Sequence, residues 1–308
     1  MKKFDMHFHS TRSDGENTHE ERIIEAKKRG LKLITLTDHD IVTNDDFINQ
    51  ARSYWISSNK SVEISARDYD LNKSLHLTSY ANTFNEGIND ILKDSMEERK
   101  IQTKDLIEKL QSKWFKGTLE WLFKYMKEKK KVKLISKFNI VEYLYTFPEN
   151  LELIKTIVWK DIKKWEFLRE FLKWGWDYYN EYGIGQYKMR PSIEKCNQVV
   201  QKTNAILSIA HPNFTFKKEW ILWFQTIFPK YYEKWVNAIE VSSKASKEWV
   251  EAIYDLKKRF NIILTAWSDN HCIYYVDDKH SDYGELNPYL SEKDKEEIYK
   301  EYIKFLSL

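Results

Sequence analysis

The chain predicts an α/β fold, a layer or barrel, that carries a helical insertion. Three observations lead there. Apolar runs of strand length alternate with amphipathic helical stretches over residues 1–84 and again after Pro191. Six of the eight histidines, His7, His9, His39, His76, His211 and His271, stand in or just after those apolar runs. Residues 85–189 change style, to long helices rich in lysine and tryptophan. The expected division is a core of 1–84 with 190–308, and 85–189 as a helical insertion or cap over the mouth of the core. At 308 residues, one large domain with an insertion is the natural size.

The first strand is Phe4 to His9, with Phe4, Met6 and Phe8 alternating against Asp5, His7 and His9 in the period of a half-buried strand. His7 and His9 then share one face, either as neighbours on an edge strand or as a pair able to hold one metal ion. Asp14 follows in a turn with Gly15. A helix over Thr18–Arg29 stops at Gly30. The strand Leu33–Thr37 ends abruptly in Asp38-His39-Asp40, and strand ends are where barrel enzymes keep their chemistry. A helix over Asn44–Ser58 buries Phe47, Ile48, Ala51, Tyr54 and Trp55. Two strands, Ser61–Ser65 and Leu75–Tyr80, each bring one potential ligand, Glu63 and His76.

In the insertion, Leu110, Trp114, Trp121 and Tyr125 fall on one helical face, and Trp159, Trp165, Phe171, Trp174 and Trp176 continue in kind. These aromatics read as packing, with a base-stacking platform as the alternative. The run Lys127–Lys133 is a solvated face that would also attract a polyanion. Beyond Pro191 come a helix over Ser192–Thr203, apolar runs Ala205–Ala210 and Ala238–Val241, and Ile262–Ala266 leading to Ser268-Asp269-Asn270-His271. Glu292–Leu306 closes as an amphipathic helix.

Composition bounds the setting. A net charge of +3 is too small to name a partner. Two cysteines, Cys196 and Cys272, form no disulfide framework, which suits a reducing compartment. Met1-Lys2-Lys3 runs straight into the first strand without a leader pattern, and no apolar run is long enough for a membrane span. The expected location is cytoplasmic, with no membrane partner.

Asp14, Glu63 and Asp269 accompany the six histidines, giving nine candidate ligands. Converging carboxylates and neutral imidazoles are costly to bury without a cation. Nine donors exceed the roughly four to six positions of one ion, so two or three divalent cations are expected. Mixed nitrogen and oxygen ligation suits Mn²⁺, Zn²⁺ or Fe²⁺. Cys272 reads as a core thiol beside the last ligand. His19 and His280 read as ordinary surface residues.

Taken in order, His7-x-His9-Ser10, Ser13-Asp14-Gly15, Thr37-Asp38-His39-Asp40, Val62-Glu63-Ile64, His76, Ala210-His211-Pro212 and Ser268-Asp269-Asn270-His271 resemble the motifs of the PHP (polymerase and histidinol phosphatase) family. The resemblance spans roughly residues 1–84 and 190–275. It implies a distorted (β/α)7 TIM-like barrel with a trinuclear metal site at the carboxyl ends of the strands. By motif position, one ion would lie on His7, His9, Glu63 and Asp269. A second would lie on Asp14, His39 and His271, and a third on Glu63, His76 and His211, with Glu63 bridging. The Ser-Asp-Gly and Thr-Asp-His-Asp forms are most similar to the stand-alone phosphoesterases, a branch that includes 3′,5′-nucleoside-bisphosphate phosphatase and RNase AM. Arg190-Pro191 resembles a basic motif of that branch, but Ser192 follows where histidine is usual, and Ser61 replaces an expected glycine.

The chemistry so implied is hydrolysis of phosphate esters by a metal-bound water, with no protein acid or base assigned. Asp38 and Asp40 either orient His39 from behind or cap the strand end. Arg67 and Arg190 either grip a non-scissile phosphate or form exposed salt bridges. The preferred substrate is a nucleotide or a nucleic-acid end, because bases stack on aromatics and phosphates meet lysines. Two alternatives stand beside it: a small-metabolite phosphatase of the histidinol-phosphatase type, and a non-catalytic PHP scaffold or interaction domain.

Overall fold

Apolar runs too short for helices form strands here, and the polar stretches between them form capped helices. The computed structural model describes residues 3–130, 134–173, 176–185, 187, 189–216, 220–274 and 281–307, without the side chain of Lys130. Residues 131–133, Trp174 and His280 of the sequence reading lie outside the described residues. The chain divides into two compact units, Met1–Ser95 with Arg190–Leu308, and Met96–Met189.

The first unit opens with β1 (Lys3–Phe8), α1 (His19–Arg29) and β2 (Leu31–Leu36). Thr18 caps α1 reciprocally with Glu21, and Gly30 at φ 73° ends it, which explains its sharp bounds. β1 is buried on both faces from Phe4 onward rather than half-buried, because Asp5, His7 and His9 point into a polar interior instead of solvent. α2 (Asp45–Ser53) is shorter than the expected Asn44–Ser58. Ser57 is taken by β2, donating to the Lys32 carbonyl at 2.9 Å and accepting from Ile34 at 3.0 Å, so the helix must stop first. Tyr54 and Trp55 are consequently exposed instead of buried.

β3 (Lys60–Asp68) and β4 (Lys73–Ala81) form an antiparallel hairpin. The connection over 69–72, with Asn72 at φ 49°, is too short for a parallel crossover. After α3 (Gly87–Ser112), the second unit contains α4 (Leu119–Tyr125), α5 (Lys137–Leu144), α6 (Pro148–Val158), α7 (Lys164–Leu172) and α8 (Tyr179–Tyr182). The first unit resumes with α9 (Ile193–Val200), β5 (Ile206–Ile209), α10 (Pro212–Thr215), α11 (Ile221–Glu233), β6 (Ala238–Ser242), α12 (Lys247–Arg259), β7 (Ile263–Trp267) and α13 (Glu292–Leu306).

The result is a mixed α/β fold. β1 and β2 pair in parallel; β3-β4-β5-β6-β7 form a five-stranded sheet, antiparallel from β3 to β5 and parallel from β5 to β7. Isolated parallel bridges join Phe8 to Asn270, Leu33 to Ser57 and His39 to Glu63. Val62, Ile64, Leu77, Ile209, Ile239 and Leu264 centre the core, covered by helix residues such as Phe224, Phe228 and Leu256.

The second unit has its own core, in which Leu110, Phe115, Leu122, Ile140, Phe167 and Phe171 meet. The expected continuous face through Leu110, Trp114 and Trp121 is broken, because α3 ends at Ser112 and Gly117 turns the chain before α4. Phenylalanine and tyrosine do the packing, as in the Phe167–Phe171 stack at 4.4 Å. Trp114, Trp121, Trp159, Trp165 and Trp176 are exposed, contrary to the packing expectation.

Candidate metal centre

Strand alternation aims His7 and His9 the same way, and their Nε2 atoms lie 3.2 Å apart. The turn after β1 is held by Asp38, which accepts from the Ser10 N–H at 2.8 Å, the Ser10 hydroxyl at 2.7 Å and the Ser13 hydroxyl at 2.6 Å. A Cβ on Gly15 would sit 2.6 Å from the His9 carbonyl carbon and oxygen, so this turn closes only around glycine. It sets Asp14 Oδ1 3.8 Å from His9 Nδ1 and 3.5 Å from His271 Nε2, and Asp14 Oδ2 3.7 Å from His39.

Glu63 stands in the middle. Around its Oε2 lie His7 Nε2 at 3.3 Å, His9 Nε2 at 3.3 Å and His39 Nδ1 at 2.9 Å. Around Oε1 lie His76 Nδ1 at 3.0 Å and His211 Nε2 at 2.9 Å. Asp269 Oδ1 is 3.2 Å from His9 Nε2 and 3.6 Å from His7 Nε2. All nine ligand candidates therefore meet at one place. Three subsets have donor atoms close enough for one ion: His9, Asp14, His39 and His271; His7, His9 and Asp269; and His39, Glu63 and His76. The motif-based grouping differs in giving His9 and His39 one ion each, whereas here each ring borders two subsets.

Charge follows the crowding. Burial opposes ionisation of Glu63, yet His39, His7 and His76 hold its carboxyl well below the usual range. Burial, aided by His271 and His39, lowers His9 to about 3, and burial lowers His76 to about 4. Both rings are thus in the neutral, ligating form at pH 7. His7 is raised well above its ordinary value, Glu240 and Glu63 outweighing burial, and Asp14 and Asp269 likewise raise His271 to about 9. Glu63 Oε2 and Asp14 Oδ1 are buried without a hydrogen bond. Orphaned carboxylate oxygens among imidazole nitrogens are the donor set a divalent cation satisfies, so the residues present fit such ions.

The remaining sequence candidates lie around this core. Asp40 accepts from the Ser65 N–H and hydroxyl, both at 2.8 Å, tying the end of β2 to β3. Arg67 is buried at the far end of β3, donating to Asn72 Oδ1 at 2.6 Å and, from its backbone, to the Pro191 carbonyl at 3.0 Å. Arg190 is beside it in the chain path, its carbonyl accepting from the Tyr69 hydroxyl at 2.8 Å. Cys272 and Cys196 are buried free thiols. His19 is half-buried, edge-on to Phe47 at 5.1 Å, rather than an ordinary surface residue.

Three residues escaped the sequence reading. Glu240 is fully buried in β6 and meets His7 Nδ1 at 3.1 Å. Asp5 accepts from the backbone of Ser268 at 3.2 Å and of Gly284 at 2.9 Å, clamping the end of β7. Arg22, buried between Phe8 and Tyr283, donates to Asn270 between two ligand candidates. A charged residue inside an apolar strand or on the apolar face of a helix was the available signal in each case.

The PHP domain family matches residues 5–173, more than half of the chain. The chain belongs to the PHP domain family. The match runs on through residues 85–173, which the motif resemblance leaves out. Among solved structures, a candidate metal-dependent phosphoesterase from Bifidobacterium adolescentis is 19% identical, with a TM-score of 0.69 over 97% of this chain and 96% of that one. An amidohydrolase from Chromobacterium violaceum, with bound sulfate and no metal, is 17% identical, with a TM-score of 0.70 over 98% and 96%. Both share the fold. No curated protein matches the chain.

Proposed function

We propose that the chain is a metal-dependent phosphoesterase acting on nucleotides or nucleic-acid ends. Glu63 carries this reading, as one buried carboxylate with five imidazole nitrogens within 3.3 Å. The proposed ligands are His7, His9, Asp14, His39, Glu63, His76, His211, Asp269 and His271, holding two or three divalent cations with Glu63 shared. Bound there, such ions supply a hydroxide nucleophile near neutral pH and offset charge on phosphate oxygens. The chain's own part is placement. Asp38 and Asp40 brace the loops that carry Asp14 and His39, and Arg67 and Arg190 are proposed to grip a non-scissile phosphate.

The proposed frame is a distorted seven-stranded barrel of the family's kind, supported by the parallel bridges from β1 to the segment after β7 (Phe8–Asn270) and from the segment after β2 to β3 (His39–Glu63). Residues 85–189 are proposed as its insertion. Exposed Trp121 and the lysines of that block support a nucleotide or nucleic-acid substrate. No described helix is long and apolar enough to cross a membrane, and two buried thiols suit the cytoplasm.

A substrate panel with added Mn²⁺ tests the proposal: bis-p-nitrophenyl phosphate, adenosine 3′,5′-bisphosphate, 5′-phosphorylated oligonucleotides and histidinol phosphate. Turnover of the nucleotide substrates is expected. Turnover of histidinol phosphate alone would replace the nucleotide reading with a small-metabolite phosphatase. Less than one metal per chain after purification without chelator would favour a scaffold.

A further inference from the structure

We propose that Glu240 is a positioning residue that ties two ligand groups of the centre into one unit; this rests on cation binding by the cluster. Its carboxylate is wholly buried. It meets His7 Nδ1 at 3.1 and 3.2 Å, the Thr78 hydroxyl at 2.6 Å and the Tyr80 hydroxyl at 3.2 Å. The backbone N–H of His211 donates to its Oε2 at 3.0 Å.

The first contact selects a tautomer. With the Nδ1 proton given to Glu240, the lone pair of His7 stands on Nε2, the atom that faces Glu63, His9 and Asp269. The last contact holds a strained backbone, since His211 sits at φ 33°, where a side chain is disfavoured. That conformation delivers His211 Nε2 to the other oxygen of Glu63. One carboxylate on β6 thereby governs a ring from β1 and a ring from the end of β5, on opposite oxygens of Glu63. Thr78 lies on the same strand face as His76, and its hydroxyl keeps that carboxylate in place.

Zn²⁺ titration against a competing chelator, with elemental analysis after dialysis, compares wild type, Glu240→Gln and Tyr80→Phe. Glu240→Gln should weaken two cation positions in parallel, by about 10- to 100-fold. Tyr80→Phe should change little, because the one hydroxyl proton of Tyr80 goes to the nearer Met6 carbonyl at 2.9 Å, and the Thr78 and both histidine contacts of Glu240 remain. Unchanged affinity in folded Glu240→Gln overturns the proposal alone, as does weakening at one position only. Absence of Zn²⁺ binding in wild type overturns the cation reading and this proposal together. Should Glu240→Gln not fold, ring ¹⁵N shifts of the Zn²⁺-loaded wild type decide: His7 protonated on Nδ1 supports the assignment, and protonation on Nε2 overturns it.

A different observation carries a second inference. Trp55, Trp114, Trp159 and Trp235 stand one or two residues past helix ends at φ 61°, 71°, 58° and 61°. They are 89, 83, 89 and 66% exposed. Each N–H closes its helix, reaching Arg52, Gln111, Lys155 and Tyr232 carbonyls at 2.9, 3.0, 2.8 and 2.9 Å. That left-handed cap is glycine's position, because a Cβ is penalised there. The chain has only 8 glycines in 308 residues, against an average near 7%, while its 12 tryptophans are many. We infer that glycine occupies these four positions in the protein as its source organism makes it, the pattern left when a stop codon reassigned to glycine is translated as tryptophan. Peptide mapping by mass spectrometry of protein from that source should return glycine at all four, and tryptophan there overturns the inference. The fourfold Trp→Gly variant should also melt at a higher temperature than the tryptophan-bearing chain; a lower one overturns the inference.

Discussion

The two units solve the burial of polar groups in opposite ways. The second unit fills its interior with leucine, isoleucine and stacked phenylalanine, and its described tryptophans face outward. The first unit wraps an apolar shell around a buried nest of Asp5, His7, His9, Glu63, Glu240 and Arg22. An apolar interior stabilises by leaving water. A polar one is tolerable only when every group finds a counter-charge or an ion. The contrast makes the first unit the one suited to hold cations.

The sharpest break in that contrast is Glu63→Ala. Removing the shared carboxylate should lower turnover on the order of 10³-fold or more, as for residues that act as a unit. Elemental analysis should show two ions lost together, and loss of one alone would contradict sharing. Phe171→Ala should do the reverse. About 3–5 kcal/mol of stability should go from the second unit, read by denaturant melts, with cation affinity unchanged. Chelation should move only one of the two cores. If cations bind the first unit at a hundredfold excess over Kd, their removal costs about 2.7 kcal/mol. Hydrogen exchange should show that loss in residues 3–95 and leave 96–173 as before.

A smaller effect concerns protons. His7 is raised well above its ordinary value and His271 to about 9 by adjacent carboxylates, so at pH 7.5 both rings carry a proton that an arriving cation displaces. Cation affinity should therefore increase with pH up to about 9, and calorimetry in buffers of different ionisation enthalpy should detect proton release. Smallest of all, Trp121→Ala should alter stability by no more than about 0.5 kcal/mol. A raised KM for nucleotides alone would bring that residue into substrate binding.

The ligand candidates were legible because histidine and carboxylate at the ends of apolar runs are unusual, and strand periodicity says which way they point. Glu240 was legible only as a charge inside the apolar run Ala-Ile-Glu-Val; its role was not, because its partners His7 and Thr78 are remote in sequence. Strand periodicity alone gives no pairing direction for β3 and β4; the four residues that join them do, since a parallel crossover needs a far longer connection. Trp114 and Trp121 misled for another reason. Helical spacing assumes one unbroken helix, and the end of α3 at Ser112, with six residues before α4 begins, removes the shared face.

Gly15 offers a last consequence. Because any Cβ there would collide with the His9 carbonyl and the Ser10 nitrogen, randomising this one codon in a growth selection for the enzyme should return a single survivor.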